Sequence, residues 1–177
     1  LLNVFSGDVK SKIDVPLDFF FSPAWSPDGG RIALVGVKEG QTDLYMYDID
    51  EGIIIRLIDD VEDEKDPSWF PDGKRLIYCR AGRVVPNPPA SFIEGEEFRI
   101  PPSYFRTKVD RGSINSDIWS MDLVTGEKDL VIRTEGDDIS PVIIRGGDEL
   151  IFSSNASGIY NLYRGSVKLG SYYRFTD

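Results

Sequence analysis

The side chains of this chain best placed to do chemistry are carboxylates. They concentrate in two stretches, Asp59-Asp60-Val61-Glu62-Asp63-Glu64-Lys65-Asp66 and Glu135-Gly136-Asp137-Asp138. Paired carboxylates can work as general acid and base, or hold a hard cation through oxygen. Neither stretch has the regular spacing of a calcium loop or marks a glycosidase, so calcium is conceivable but weakly signalled, and no cofactor is expected. The chain contains no histidine, so a Ser-His-Asp or Cys-His site cannot be built from it. Its one cysteine, Cys79, rules out an internal disulfide and a cysteine-based zinc site. With no histidine to activate it, Cys79 reads as a small packing residue. There is no G-x-S-x-G elbow, no phosphate loop and no dinucleotide fingerprint.

Charge narrows the partners. A formal net charge of −10 and no basic stripe argue against nucleic acid and against an anionic membrane surface. No run approaches the roughly 18 apolar residues of a membrane span. A hydrophobic content of 41% argues for a packed core rather than a disordered chain.

The elements that must position the carboxylates repeat. Ser22-Pro23-Ala24-Trp25-Ser26-Pro27-Asp28-Gly29 recurs as Asp66-Pro67-Ser68-Trp69-Phe70-Pro71-Asp72-Gly73, and in worn form as Ser140-Pro141-Val142-Ile143-Ile144-Arg145-Gly146-Gly147. Pro-Asp-Gly is hairpin chemistry, so Asp28 and Asp72 are expected to shape turns rather than bind metal. An apolar strand follows each turn: Arg31–Val35, Arg75–Cys79, Glu149–Phe152. Third strands follow at Asp43–Asp48, Asp117–Asp122 and Asn161–Arg164, and fourth strands at Ile54–Leu57, Asp129–Ile132 and Tyr172–Phe175. Trp25 and Trp69 are 44 residues apart; Trp69 and Ile143 are 74 apart, so the second unit carries 74 − 44 = 30 extra residues. Four short strands in a period of this length predict an all-β fold, a β-propeller of four-stranded antiparallel blades.

These residues resemble the TolB-type propeller repeat, whose blade carries P-x-W-S-P-D-G-x-x-I and then D-I/L-Y-x-x-D. Pro23 to Ile32 with Asp43 to Asp48 is a near-complete match, Pro67 to Leu76 a good one, and the third copy keeps Pro141 and Gly147. The same blade type occurs in the propeller of prolyl-oligopeptidase-like enzymes. The units run over 22–58, 66–133 and 140–177. A partial blade is expected at 1–21, with strands near Leu1–Val4 and Lys12–Val15, giving fourteen strands. Family propellers close with more blades, typically six, so the resemblance implies either a segment of a longer propeller or copies that self-associate to close a ring. Phe19-Phe20-Phe21 is expected just ahead of the first inner strand, and it, Trp25, Trp69 and Trp119 are expected to pack between sheets.

Meander topology then sorts the loops. Loops after second and fourth strands share one face, so that face collects Asp59, Asp60, Glu62, Asp63, Glu64 and Asp66 from one loop and Asp137 and Asp138 from another. It also receives the insertion, about 80–116, which is Pro-rich and locally basic and carries Arg99, Tyr104, Phe105 and Arg106. Such a long loop is expected to fold over its acidic face or grip a partner there. The resemblance adds Ser22, Asp66 and Ser140, with Asp138, as the starts of the inner strands that build the channel mouth. It implies a non-catalytic module that binds a protein or peptide, periplasmic or secreted. The alternative is the substrate-gating propeller of a cytoplasmic serine peptidase whose catalytic domain lies elsewhere. A sugar-active or lactonase-like propeller lacks the metal-ligand pattern it would need.

Overall fold

The computed structural model describes residues 1, 3–9, 12–81 and 115–176. Among the described residues twelve strands form three sheets, each an antiparallel meander of four consecutive strands. Blade 1 holds β1 (Phe19–Trp25), β2 (Arg31–Lys38), β3 (Gln41–Asp48) and β4 (Ile53–Arg56). Blade 2 holds β5 (Asp63–Trp69), β6 (Arg75–Ala81), β7 (Ser116–Asp122) and β8 (Lys128–Ile132). Blade 3 holds β9 (Asp138–Ile144), β10 (Glu149–Ser154), β11 (Asn161–Ser166) and β12 (Tyr172–Arg174).

Turn residues set these boundaries as the sequence requires. Asp28 Oδ1 accepts from the Ser26 hydroxyl at 2.6 Å and from the Gly30 amide at 3.0 Å, closing the turn between β1 and β2. Asp72 does the same through the Lys74 amide at 2.8 Å. The β6–β7 ladder continues to the pair Ala81 and Ser116, so the long insertion leaves and rejoins blade 2 at one ladder end.

The core lies between blades. Val35, Leu44, Ile58, Tyr78 and Met121 pack blade 1 against blade 2, beside a second cluster of Ala33, Trp69 and Leu76. Phe70, Ile77, Ile118, Val131, Ile132, Leu150, Phe152 and Tyr163 pack blade 2 against blade 3. Burial of each such side chain contributes about 1.5–3 kcal/mol. Alternate residues of each middle strand face opposite neighbours, which is why β2 and β6 are apolar almost throughout.

Three expectations change. The strands near Leu1–Val4 and Lys12–Val15 are not formed among the described residues; Asn3–Asp8 is a turn closed by backbone bonds. Phe19-Phe20-Phe21 belongs to β1 itself and is exposed rather than packed, as is Trp25. Phe20 and Trp25, which pair with Gly36 and Ile32, lie on the face of β1 turned away from blade 2, where no inner strand covers them among the described residues; Phe19 and Phe21, which pair with Val37 and Val35, lie on the blade 2 face, where their rings stack on each other at 6.0 Å and stay exposed. Trp69 is buried and Trp119 packs against the cluster between blades 1 and 2, as read from the sequence.

Candidate functional site

Each inner strand contains the same irregularity. Its ladder slips between Phe21 and Ala24 in β1, between Lys65 and Ser68 in β5, and between Ile139 and Val142 in β9. Within each bulge one residue takes a left-handed backbone: Ser22 (φ 49), Asp66 (φ 53) and Ser140 (φ 53). A residue preceding proline with a side chain strongly disfavours this conformation, and such strain costs on the order of 1–3 kcal/mol per site. Bulges re-aim side chains. Here the Asp66 carboxylate reaches the next inner strand and accepts from the Ser140 amide at 3.1 Å and its hydroxyl at 3.3 Å. Ser22, Asp66 and Ser140 are therefore equivalent positions, and two of them touch.

The acidic stretches run from loop into inner strand, with Asp63, Glu64 and Asp66 inside β5 and Asp138 opening β9, and their charges are largely engaged with the protein's own cations. Arg80, at the insertion end of β6, donates to Asp60 at 2.6 Å and to Glu62 at 2.7 Å, and its Nε is 3.7 Å from Glu64. Lys128 approaches Asp60 at 3.4 Å. Arg56 joins buried Asp43 and exposed Asp59, each at 2.6 Å. Asp137 accepts from the Ser116 amide at 2.9 Å and the Tyr160 hydroxyl at 2.8 Å, with Lys65 at 3.8 Å. Asp63 is left exposed. Acidic composition had suggested an open anionic rim; the paired geometry makes most of it an ion-pair lattice pinning loops to strands.

Electrostatics follow burial. Glu64 is fully buried, and neither carboxylate oxygen has a hydrogen-bond partner among the described residues. Burial, reinforced by Asp60, pushes its pKa up to about 8 despite Arg80. Burial also raises Asp43 and Asp138, outweighing Arg56 in the first and the Thr134 hydrogen bonds in the second. For Asp60 burial pulls upward, but Arg80 and Lys128 win and hold the group below its usual range. For Asp137 burial is likewise outweighed, by the Ser116 amide, Tyr160 and Lys65. Asp138 forms a buried knot: it accepts from the Thr134 amide at 2.9 Å and its hydroxyl at 2.6 Å, and that hydroxyl meets Ser154 at 3.0 Å. Cys79 is fully buried, and burial pushes its thiol up, away from nucleophilic ionisation. Among the described residues no group of three or more acidic or cysteine side chains is arranged to hold a metal ion. The insertion positions Arg99, Tyr104, Phe105 and Arg106 lie outside the described residues.

One recurring clip was missed in the sequence although its signal was there. The Asp or Asn directly before the Leu/Ile-Tyr/Trp pair of each third strand grips the chain at or after the fourth: Asp43 with Arg56, Asp117 with Arg133 at 2.6 Å, and Asn161 with Thr176 at 3.5 Å. The Asp…Arg recurrence in step with the repeat would have found the first two.

Comparisons with known proteins bear on this geometry. No family model matches the chain. An uncharacterised protein of Agrobacterium fabrum is 37% identical over 60 residues, covering 34% of this chain and 20% of that protein. Among solved structures, TolB from Acinetobacter baumannii superposes with a TM-score of 0.64 at 24% identity, covering 90% of this chain and 33% of that one. A putative TolB from Agrobacterium tumefaciens gives 0.65 at 17% identity, covering 90% and 50%. A puromycin-hydrolyzing peptidase of Mycobacterium tuberculosis gives 0.60 at 14%, covering 89% and 23%. The chain thus spans half or less of each of these proteins. Its repeat, its three meanders and these superpositions together show the fold: the described residues form three blades of a β-propeller like those of TolB.

Proposed function

We propose that this propeller segment is a non-catalytic interaction module that holds a protein or peptide on the face where its inner strands begin. The observation that carries this reading is the strained bulge repeated at Ser22, Asp66 and Ser140. Strain kept at the same channel-side position in every blade suits a surface that presents backbone and short polar side chains to a ligand. The total absence of histidine removes the usual general base from this chain. Exposed Asp59 and Asp63 beside the bulges favour a partner segment carrying cations.

A second reading is supported by the peptidases among the structural neighbours: a propeller that screens substrates for a hydrolase domain elsewhere in the protein. One titration serves both. A short extended lysine peptide is added to the labelled chain at low salt while amide shifts are followed by NMR. Shifts confined to 59–66 and 137–140, weakened by salt and by Asp59→Asn with Asp63→Asn, are expected. No shift, or shifts spread elsewhere, would remove the interaction reading. Cleavage of a chromogenic prolyl peptide by the natural protein would move the assignment to the peptidase.

A further inference from the structure

The two interfaces between blades share one plan and are filled differently. Between blades 1 and 2 the Trp69 indole N–H donates to the Ala24 carbonyl at 2.9 Å. The Arg31 guanidinium lies 5.0 Å over the Trp69 ring, and its Nη2 donates to the Gly73 carbonyl at 2.7 Å. Met46 and Leu123 pack on the cluster that holds Trp69. Strand pairing identifies the equivalent positions between blades 2 and 3. Ile143 pairs with Leu150 as Trp69 does with Leu76, and Ser120 pairs with Ile77 as Met46 does with Ala33. The Val167 amide donates to the Asp148 carbonyl as the Leu123 amide does to that of Lys74. Tryptophan, methionine and leucine thus become isoleucine, serine and valine. Losing that much side-chain volume at one interface leaves space unless the backbones close in.

A cavity of about 460 Å³ opens there, lined by Arg75, Ser120 and Asp129 of blade 2 and by Gly147, Asp148 and Lys168 of blade 3. It lies toward the turns that follow first and third strands, at the opposite end of the inner strands from the bulge-side loops. Asp129 pairs with Ser120 where blade 1 sets Ile55 against Met46, so an apolar pair has become a carboxylate and a hydroxyl. Arg75 is the equivalent of Arg31. Its Nε donates to Asp72 at 2.8 Å and its guanidinium lies 4.1 Å over the Phe70 ring, which leaves its Nη edge without a hydrogen bond among the described residues. The side chains of Asp129, Asp148 and Lys168 likewise have no hydrogen bond or ion pair among the described residues. Both signs of charge therefore stand open in one concave space. Arg75 pairs with Asp122, two residues along β7 from Ser120. Two strand steps of about 4.8 Å and two residues of about 3.4 Å put the Cα atoms of Arg75 and Asp129 roughly 12 Å apart.

We propose that this cavity binds a short zwitterionic peptide, a dipeptide in the simplest case. Its carboxylate accepts from the open Nη edge of Arg75 and from Lys168, and its ammonium group donates to Asp129 and to the Ser120 hydroxyl oxygen. A simple anion would enter against a net charge of −10, and a simple cation would leave Arg75 and Lys168 unanswered. The separation of Arg75 from Asp129 suits the two termini of a dipeptide better than the adjoining charges of a single amino acid. The site is separate from the face proposed above for a partner, and each reading stands or falls without the other.

The test titrates the full 15N-labelled chain with alanyl-alanine and follows the amide signals of Ser120, Gly147 and Lys168. Saturable shifts at these residues and their cavity neighbours are expected. Acetylating the amino end or amidating the carboxyl end of the dipeptide should each weaken binding about tenfold, and alanine alone should bind more weakly than alanyl-alanine. Asp129→Asn should weaken the free dipeptide about tenfold and leave its acetylated form unchanged, a split that mere loosening of the interface would not produce. Ser120→Met restores the side chain that blade 1 has at this position; it is expected to fill the cavity and abolish the shifts. No saturable shift at tens of millimolar dipeptide overturns the proposal. So does equal binding of the doubly blocked dipeptide, or an equal effect of Asp129→Asn on the free and acetylated forms. Asp129 is exposed, so its variant decides the matter even if Ser120→Met fails to fold.

Discussion

Glu64 shows how a repeat fold can hold an ionisable group out of water. Its carboxyl lies between blades with a pKa near 8, against 4.5 for an ordinary glutamate. The folded state therefore binds the proton more tightly than the unfolded one. Stability from this group is complete below pH 4.5 and is lost as pH rises toward 8, at up to about 1.4 kcal/mol per pH unit. Glu64→Gln keeps the shape of the neutral acid without a proton to lose. The variant is expected to match the parent near pH 4.5 and to be progressively more stable up to pH 8, as read by urea unfolding at a series of pH values. Identical pH dependence of the two proteins would show that Glu64 ionises freely in place. The carboxylate run was plain in the sequence, but not which member was buried. That depends on the bulge in β5, which sets the side each residue faces, and alternation alone misplaces residues across a bulge.

At the scale of elements, equivalent residues differ in what they meet. Trp69→Phe removes an indole bond to Ala24 and the better face for Arg31, and should cost about 1–2 kcal/mol by chemical denaturation. The same change at Trp25, more than half exposed, should stay within about 0.5 kcal/mol. Equal losses would mean that Trp69 gains nothing from its neighbours. The strands themselves were legible, because Pro-Asp-Gly turns and apolar middle strands are local signals that tertiary context reinforces. The exposure of Trp25 and of Phe19–Phe21 was not, because burial is a property of the neighbour and the neighbour is not encoded in the strand. The stretches near Leu1–Val4 and Lys12–Val15 form no strand among the described residues, and Leu1, Ile13 and Leu17 instead make apolar contacts with blade 1.

Across the whole molecule, the insertion enters and leaves at one ladder end, at Ala81 and Ser116. Replacing residues 82–115 by Asn-Gly should therefore join β6 to β7 through a two-residue turn of matching twist. Shortening the loop favours folding by about 0.6 kcal/mol for each halving of its length. The shortened chain is expected to keep its far-UV circular dichroism and a protected Trp69; loss of either would make the insertion part of the framework. The sequence placed this insertion by subtraction of repeat lengths, since a repeat fixes where extra residues fall. It could not say that the acidic face would be paired, because Arg80 and Lys128 reach Asp60 from strands 20 and 68 residues further along the chain.

The latch between blades also has a bearing on synthesis. Ala24 and Arg31 leave the ribosome before Trp69, and Asp66 before Ser140, so each later residue emerges to find its partner already made. A chain built this way can zip up in the order it is translated, each blade templating the next. Its growing end stays sticky until the last strand is out.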